Sequence, residues 1–180
     1  QSVTFSVLDY PHKRDSVGRP LPGMQIRIDN PDVDGVGEIH LTGPMVMTGY
    51  IGKEPIDGDL NTDDIGYVDE DGFVYILNRR KDLIISGGEN IYPKELEDLV
   101  YTLPSVKECA VVPVPDPKWG QVPALFVAFH DGESMTSDEI LSFMTNSLAK
   151  YKIPKYVKIL PALPRNGTGK IVRNELRLED

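Results

Sequence analysis

Apolar and polar residues alternate with the two-residue period of β-strands through the first half of the chain. Residues 24–28 and 37–43 show this alternation, and residues 1–8 also read as a strand. Residues 67–68 and 73–77 flank an Asp-Gly pair, Asp71-Gly72, which is typical of a hairpin turn. Because no helical period occurs between residues 24 and 80, the pattern predicts a β-rich lobe.

The pattern changes after residue 82. Pro93 suits a first helical turn, and Pro104 would end the helix. The apolar positions between them recur at helical spacing: Leu96, Leu99, Val100 and Leu103. Thr136 and Glu139 form a capping box before a second such stripe. Apolar runs at 109–114, 125–130 and 156–160 predict strands.

These elements predict an α+β fold in two parts. Residues 1–80 form the β-rich lobe, and residues 81–180 form a small α+β domain with a short sheet and two or three helices. The boundary lies near Lys81 and Asp82, where the pattern changes without a Pro/Gly/Ser linker. We therefore expect the two parts to be closely coupled.

The composition of the 180 residues excludes several classes of protein. One cysteine cannot form an internal disulfide, which indicates a reducing compartment, and we expect a cytoplasmic protein. No apolar run approaches the length of a membrane span. The net charge of −9 argues against nucleic-acid or anionic-lipid binding. Basic residues nevertheless concentrate between 150 and 177, where Glu175 is the only acidic residue, so this stretch is either a solvated surface or a phosphate contact.

The acidic segment after residue 56 has part of a calcium-loop pattern. Asp57, Asp59 and Asn61 have EF-hand spacing. However, the sixth position is Thr62 where that loop needs glycine, and the twelfth is Val68 where it needs glutamate. We exclude a calcium site, and a solvated acidic loop is the alternative.

Two glycine turns could bring backbone or charge close to a ligand. The turn before Lys170 is not a P-loop, because Pro164 occupies the first glycine position and Ile171 replaces the hydroxyl residue. It could still present Lys170 to an anion, or be a surface hairpin. Gly87 and Gly88 would let a ligand chain approach closely, or form a tight loop without a ligand.

Taken in order, four segments resemble the C-terminal part of the adenylate-forming superfamily: acyl-CoA synthetases, peptide-synthetase adenylation domains and luciferases. They are residues 37–50, 60–73, 78–97 and 163–171, and the resemblance extends from about residue 16 to residue 177. The third segment is the most specific. Its Arg-Arg-Lys-Asp, followed by Ser-Gly-Gly-Glu-Asn-Ile-Tyr-Pro, is similar to the acyl-CoA ligase version.

The resemblance implies a two-step reaction with a small carboxylic acid, ATP and coenzyme A. ATP and the acid give an acyl-adenylate and pyrophosphate, and coenzyme A then displaces AMP. Residues 1–80 would be the C-terminal β-rich part of a large adenylation domain. Residues 81–180 would be a mobile small domain that turns about a hinge at Lys81.

The resemblance also assigns site residues. Asp64 matches the carboxylate that holds the ATP ribose hydroxyls, Arg79 an arginine at the ribose or phosphate, and Asn90 a polar position facing the adenylate. Lys170 matches the lysine that bridges the acid and the α-phosphate during adenylation.

A further set matches the loop used in thioester formation, where a missing side chain lets pantetheine pass: Gly87, Gly88 and Glu89. In the family, the ribose carboxylate ends a Thr-Gly-Asp motif, whereas this chain has Thr62-Asp63-Asp64. The resemblance therefore implies an extra carboxylate beside ATP.

Other parts of such enzymes have no counterpart here. The family's phosphate loop, its Mg²⁺-positioning residues and most of the acid pocket would lie upstream, so none of the present residues is assigned to a metal. We expect a C-terminal fragment that is inactive alone.

The sequence indicates the carboxylic acid substrate less specifically than it indicates the superfamily. Residues 119–123 and 148–154, with Arg165-Asn166, resemble the bacterial ligases that act on 2-succinylbenzoate in menaquinone biosynthesis. Trp119 could equally be a core or loop aromatic. A fatty-acid or aryl-CoA ligase, a carrier-protein-dependent adenylation domain, and a non-catalytic domain stay open as alternatives.

Overall fold

A computed structural model describes residues 3–4 and 10–178. The chain separates into two compact units, one ending at Lys81 and the other beginning at Asp82. A strand was predicted for residues 1–8, most of which lie outside the described residues. The described part of this range, Val3–Thr4, forms the short strand β1. In the described ranges, no helix has the length and apolar character needed to cross a membrane.

The first unit is built from antiparallel strands. β1 pairs with β2 (Arg19–Pro20). Four further strands form one sheet in chain order: β3 (Gln25–Asp29), β4 (Gly37–Thr42), β5 (Leu60–Val68) and β6 (Val74–Arg79). The predicted β-rich lobe is therefore confirmed. β5 begins seven residues before the strand predicted at Tyr67, because its acidic start is hydrogen-bonded into the sheet although it reads as a loop.

The β5–β6 turn is held by Asp69. Its Oδ1 accepts hydrogen bonds from the backbone N–H groups of Asp71 and Phe73, at 3.0 and 2.9 Å. Its Oδ2 accepts from Lys13 Nζ at 2.6 Å and from the Tyr75 hydroxyl at 3.1 Å. The hairpin predicted from Asp71-Gly72 thus forms, and it also ties residues before β2 to the sheet.

The second unit is an α+β domain whose sheet is centred on one long strand, β10 (Gly120–Phe129). β9 (Val106–Asp116) runs antiparallel along the whole of β10. β11 (Tyr156–Ile159) is parallel to its middle. β7 (Ile84–Ser86) meets it at Gly120, and β8 (Glu89–Ile91) pairs with β7.

Two α-helices pack on one face of this sheet. α1 (Pro93–Val100) begins at the predicted proline, but it ends three residues before Leu103, which continues as a turn. α2 (Ser137–Thr145) has the predicted capping box: Thr136 Oγ1 accepts from the Glu139 N–H, and the Glu139 carboxylate accepts from the Thr136 N–H at 2.7 Å. Local sequence therefore sets both helix starts.

β9 and β10 are buried on both faces, which explains their nearly continuous apolar sequence. One face meets α1 and α2 through a core that includes Val111, Leu125 and Val127. The other face carries smaller side chains around Phe126, and it is covered by Leu163 and Leu176. The residues after β11 thus complete a second core.

A buried ion pair connects α1 to this C-terminal segment. The Glu97 side chain is 10 % exposed and receives Arg173 Nη2 at 2.9 Å, with a second guanidinium contact to its other oxygen. The same carboxylate accepts the Val111 N–H at 2.7 Å, and Arg173 donates to the Val111 carbonyl at 2.9 Å. One carboxylate therefore links a helix, a strand and the segment that covers the second core.

Candidate functional site

In the first unit, Asp64 and Arg79 are brought together by the sheet. They are cross-strand partners on β5 and β6, and Arg79 Nε lies 2.7 Å from Asp64 Oδ1. Burial raises the pKa of Asp64, which the Arg79 charge opposes and the Asp63 charge reinforces. Two strands thus fix a mostly buried carboxylate beside an exposed guanidinium, and such a carboxylate can accept hydrogen bonds from hydroxyl groups.

Asp63, the residue before Asp64, has a backbone conformation that is usually adopted by glycine. Asp63 has a φ of +59°, in the left-handed region that aspartate tolerates better than most residues. The bend is stabilised locally: Asn61 Oδ1 accepts the Asp63 N–H at 2.8 Å, and Thr62 Oγ1 accepts the Asp64 N–H at 3.2 Å. Glycine in the family pattern and aspartate here therefore suit the same backbone shape.

Lys81 lies where the first unit ends. It is exposed, in a single turn of 3₁₀-helix spanning Arg80–Asp82. Its neighbour Arg80 is anchored in the first unit, because its Nη1 lies 2.7 Å from Glu38 Oε2. Asn61 Nδ2 donates to the same oxygen at 2.8 Å. The residue before Lys81 is thus fixed to the first sheet.

In the second unit, Gly87 and Gly88 form the two-residue turn between β7 and β8. Their φ angles are +60° and +93°, and Ser86 pairs with Glu89 across the turn. Positive φ at both central positions is the geometry that favours glycine in tight hairpins. Glu89 and Asn90 follow on β8 and are exposed, so four of the predicted site residues share one hairpin.

The two glycines have different surroundings. A Cβ on Gly87 would lie 2.6 Å from Trp119 Cε3, whereas a Cβ on Gly88 would meet nothing within 4 Å. The Gly87 N–H also donates to the Trp119 carbonyl at 2.9 Å. Trp119 is therefore a partly exposed aromatic packed against this hairpin, which the sequence left undecided.

The Trp119 backbone is itself held by a buried carboxylate. Asp116 Oδ1 accepts the N–H groups of Lys118 and Trp119 at 2.9 Å each, and Lys155 Nζ lies 2.5 Å from Asp116 Oδ2. The Lys155 hydrogen bond and these two N–H groups lower the pKa of Asp116 to about 2. The ionised Asp116 carboxylate thus holds the loop of Lys118 and Trp119 that packs against the glycine hairpin.

Lys170 lies on a separate turn of the second unit, between the bridged residues Arg165 and Ile171. Asn166 organises this turn, because its Oδ1 accepts the N–H groups of Thr168 and Lys170 at 3.0 and 2.9 Å. The Asn166 N–H also donates to the Lys170 carbonyl at 2.9 Å. The turn is therefore well defined, while the Lys170 side chain is exposed.

This turn is also tied to the sheet through Glu108, which sequence reasoning missed. Glu108 Oε1 accepts the Leu163 N–H at 3.0 Å, and Oε2 accepts Arg165 Nε at 3.0 Å together with Nη2. Arg165 Nη1 donates to the Gly169 carbonyl. Burial opposes ionisation of Glu108, but the Leu163 and Arg165 hydrogen bonds outweigh it and lower its pKa. The signal that could have indicated this role is the position of Glu108, directly before the apolar run that predicts a strand.

Within residues 3–4 and 10–178, no group of three or more His, Cys, Asp or Glu residues has the geometry to hold a metal ion. The carboxylates of Asp64, Asp116 and Glu108 are instead each paired with a cationic side chain.

Comparison with known proteins gives these residues a context. Residues 95–170 match the AMP-binding enzyme C-terminal domain family. The chain is 56 % identical over 177 residues to a 2-succinylbenzoate–CoA ligase from Lactococcus lactis subsp. lactis (strain IL1403), covering 98 % of this chain and 38 % of that protein. The chain thus spans well under half the length of this relative.

Solved structures of CoA synthetases resemble this chain in both fold and sequence. The chain is similar to o-succinylbenzoate CoA synthetase from Bacillus subtilis in complex with the acyl-adenylate intermediate OSB-AMP, with a TM-score of 0.88 and 40 % identity, over 100 % of this chain and 38 % of that one. It is also similar to the same synthetase in complex with ATP and magnesium ion, with a TM-score of 0.86 and 39 % identity, over 98 % and 38 % of the two chains.

Proposed function

Because the chain belongs to the adenylate-forming superfamily, we propose that it carries part of the active site of an acid–CoA ligase. The ligase would join ATP and a carboxylic acid into an acyl-adenylate and release pyrophosphate. Coenzyme A would then displace AMP to give the acyl-CoA thioester. We propose 2-succinylbenzoate as the acid and menaquinone biosynthesis as the pathway.

The observation that carries this proposal is the likeness to the synthetase with bound OSB-AMP, which extends over the whole chain in sequence and fold. The 2-succinylbenzoate–CoA ligase of Lactococcus supports the same acid. The relative crystallised with ATP and magnesium ion supports ATP as the nucleotide. That relative also binds magnesium ion, which supports Mg²⁺ as the cofactor that accompanies ATP.

In the first unit, we assign Asp64 and Arg79 to the nucleotide. A mostly buried carboxylate can accept hydrogen bonds from both ribose hydroxyls, while an exposed guanidinium can donate to ribose or phosphate oxygens. Their 2.7 Å ion pair keeps both groups oriented before the nucleotide arrives. Asn90 would add a polar contact to the adenylate.

Lys170 serves the first half-reaction in this proposal. The acid and the α-phosphate are both anions, so a cation between them stabilises the charge that accumulates as the bond forms. The turn tied by Asn166 offers that cation on an exposed tip. A lysine is suited to this because its ammonium group acts as a point charge on a long stem.

The glycine hairpin serves the second half-reaction. Coenzyme A must bring its thiol to the acyl carbon, and Gly88 offers a backbone with open space where a side chain would stand. Gly87 and Glu89 shape the same turn. The absence of a side chain at Gly88 is therefore the feature that we assign to pantetheine.

Two half-reactions with different requirements favour a mobile domain over one compromise site. We propose that residues 81–180 are that small domain, that residues 1–80 belong to the large adenylation domain, and that Lys81 is the hinge. Arg80, anchored on Glu38, would mark the fixed side of the hinge.

Acid-dependent exchange of pyrophosphate into ATP tests the first half-reaction in the full-length protein. The panel contains 2-succinylbenzoate, benzoate, octanoate and no acid, and we expect exchange with 2-succinylbenzoate. Lys170→Ala should reduce exchange by about 100-fold or more, as expected for loss of a transition-state charge contact. Thioester formation from preformed acyl-adenylate should survive.

Lys94→Ala is the matched control, because Lys94 is an exposed lysine of the same unit that pairs with Asp98 on α1. It should leave both half-reactions unchanged. If exchange occurred with octanoate or benzoate but not with 2-succinylbenzoate, the proposed acid would be wrong. Equal loss of both half-reactions in Lys170→Ala would contradict the role of Lys170.

A further inference from the structure

We propose that Glu108 and Arg165 are positioning residues for Lys170, a role that rests on the proposed function of that lysine. Together they would hold the Lys170 turn in one shape against the sheet. Neither residue needs to touch a substrate, and neither belongs to the glycine hairpin or to the Asp64–Arg79 pair.

The first link is between the sheet and the guanidinium. Glu108 is 4 % exposed and lies on β9, on the face covered by Leu163 and Leu176. Its Oε2 receives Arg165 Nε at 3.0 Å and also Nη2, while Oε1 receives the Leu163 N–H at 3.0 Å. A buried carboxylate with three donors holds both the chain entering the turn and the guanidinium.

The second link is between the guanidinium and the turn. Arg165 Nη1 donates to the carbonyl of Gly169, the residue immediately before Lys170. Gly169 has a φ of +81°, so its peptide has an orientation that few other residues adopt. One planar group thus connects a rigid strand to the peptide that leads to Lys170.

Arginine is required for both contacts at once. Its fork presents Nε and Nη2 to the carboxylate while Nη1 points elsewhere, whereas a lysine ammonium is a single point charge. Arg165→Lys should keep a charge near Glu108 and lose the bond to the Gly169 carbonyl. Glu108→Gln should keep an acceptor for the Leu163 N–H and lose the charge that holds Arg165.

Hydrogen exchange in the full-length protein without substrate tests the link itself. In Glu108→Gln and Arg165→Lys, we expect the amides of residues 166–170 to exchange about 10- to 100-fold faster, since the turn loses a charge-assisted bond. Amides of β9 and β10 should change little. Arg177→Lys is the matched control, because Arg177 donates to the Leu176 carbonyl away from this turn.

Half-reaction kinetics test the consequence. Both variants should lose about 10-fold in acid-dependent pyrophosphate exchange and retain thioester formation from preformed acyl-adenylate within about 2-fold. A merely structural role would reduce both half-reactions together. Equal losses in both, or unchanged exchange of the turn amides, would overturn the proposal. If the wild-type protein activates no acid, the proposed function fails, while the amide measurement still tests the link.

Discussion

The Glu97–Arg173 pair allows a direct test of how much one buried carboxylate stabilises the second unit. Glu97→Gln retains an oxygen for the Val111 N–H but places an amide where the guanidinium had a carboxylate. Arg173 loses two charge-assisted contacts. Such hydrogen bonds contribute about 1.5–3 kcal/mol each. The Arg173 side chain is 33 % exposed, so water recovers part of the loss, and we expect a destabilisation of about 3 kcal/mol.

The assay uses Trp119, the only tryptophan of the chain, which lies in the second unit. Its fluorescence during thermal unfolding therefore reports on this unit. For a domain of this size, about 3 kcal/mol corresponds to a fall in Tm of roughly 12–24 °C. Urea unfolding followed by the same signal gives the free energy directly.

Asp98→Asn is the control on the adjacent residue. Asp98 pairs with Lys94 on the same helix, but their side chains are 60 % and 55 % exposed. An exposed pair of this kind contributes about 0.5 kcal/mol or less. If Glu97→Gln costs less than about 1 kcal/mol, or no more than Asp98→Asn, the argument that the buried pair anchors the C-terminal segment is wrong.

Three further predictions concern other parts of the chain. Gly88→Leu should preserve pyrophosphate exchange and block thioester formation, and a fall in exchange instead would contradict the pantetheine role. Asp63→Gly should leave the hydrogen-exchange protection of β5 within about 0.5 kcal/mol of wild type, whereas Asp63→Val should lower it by about 1 kcal/mol or more, because a branched side chain resists positive φ. Asp116 has a pKa of about 2 in the folded state against 3.8 ordinarily, so its stabilising effect is complete above pH 4 and is lost as the pH falls towards 2. Urea titrations followed by Trp119 should show this loss, and Asp116→Asn should weaken the pH dependence.

Sequence reasoning succeeded where the signal was local. The start of α1 at Pro93 and the capping box of Thr136 and Glu139 depend on neighbouring residues, so both were predicted. The two-residue glycine hairpin was singled out for the same reason. The family resemblance then named the site residues that local pattern alone left ambiguous, including Lys170.

Sequence reasoning failed where the partner is distant. The sequence analysis did not single out Glu97 or Glu108, because the guanidinium group that pairs with each buried carboxylate lies 76 or 57 residues further along the chain. The acidic start of β5 read as a loop, because the hydrogen bonds that make it a strand come from β4 and β6. No periodicity within one segment contains such information.

The two-sided burial of β9 and β10 has a consequence for the order of folding. Their hairpin is local, so it can form early, whereas the cover over Phe126 comes from Leu163 and Leu176. Closing a longer loop costs more entropy, so we expect this cover to dock last. Until then an apolar face around Phe126 stays open to solvent, and pulse-labelled amides should be protected in the hairpin before those of residues 163–176. The interval between these two events is when we expect newly made chains to self-associate most readily.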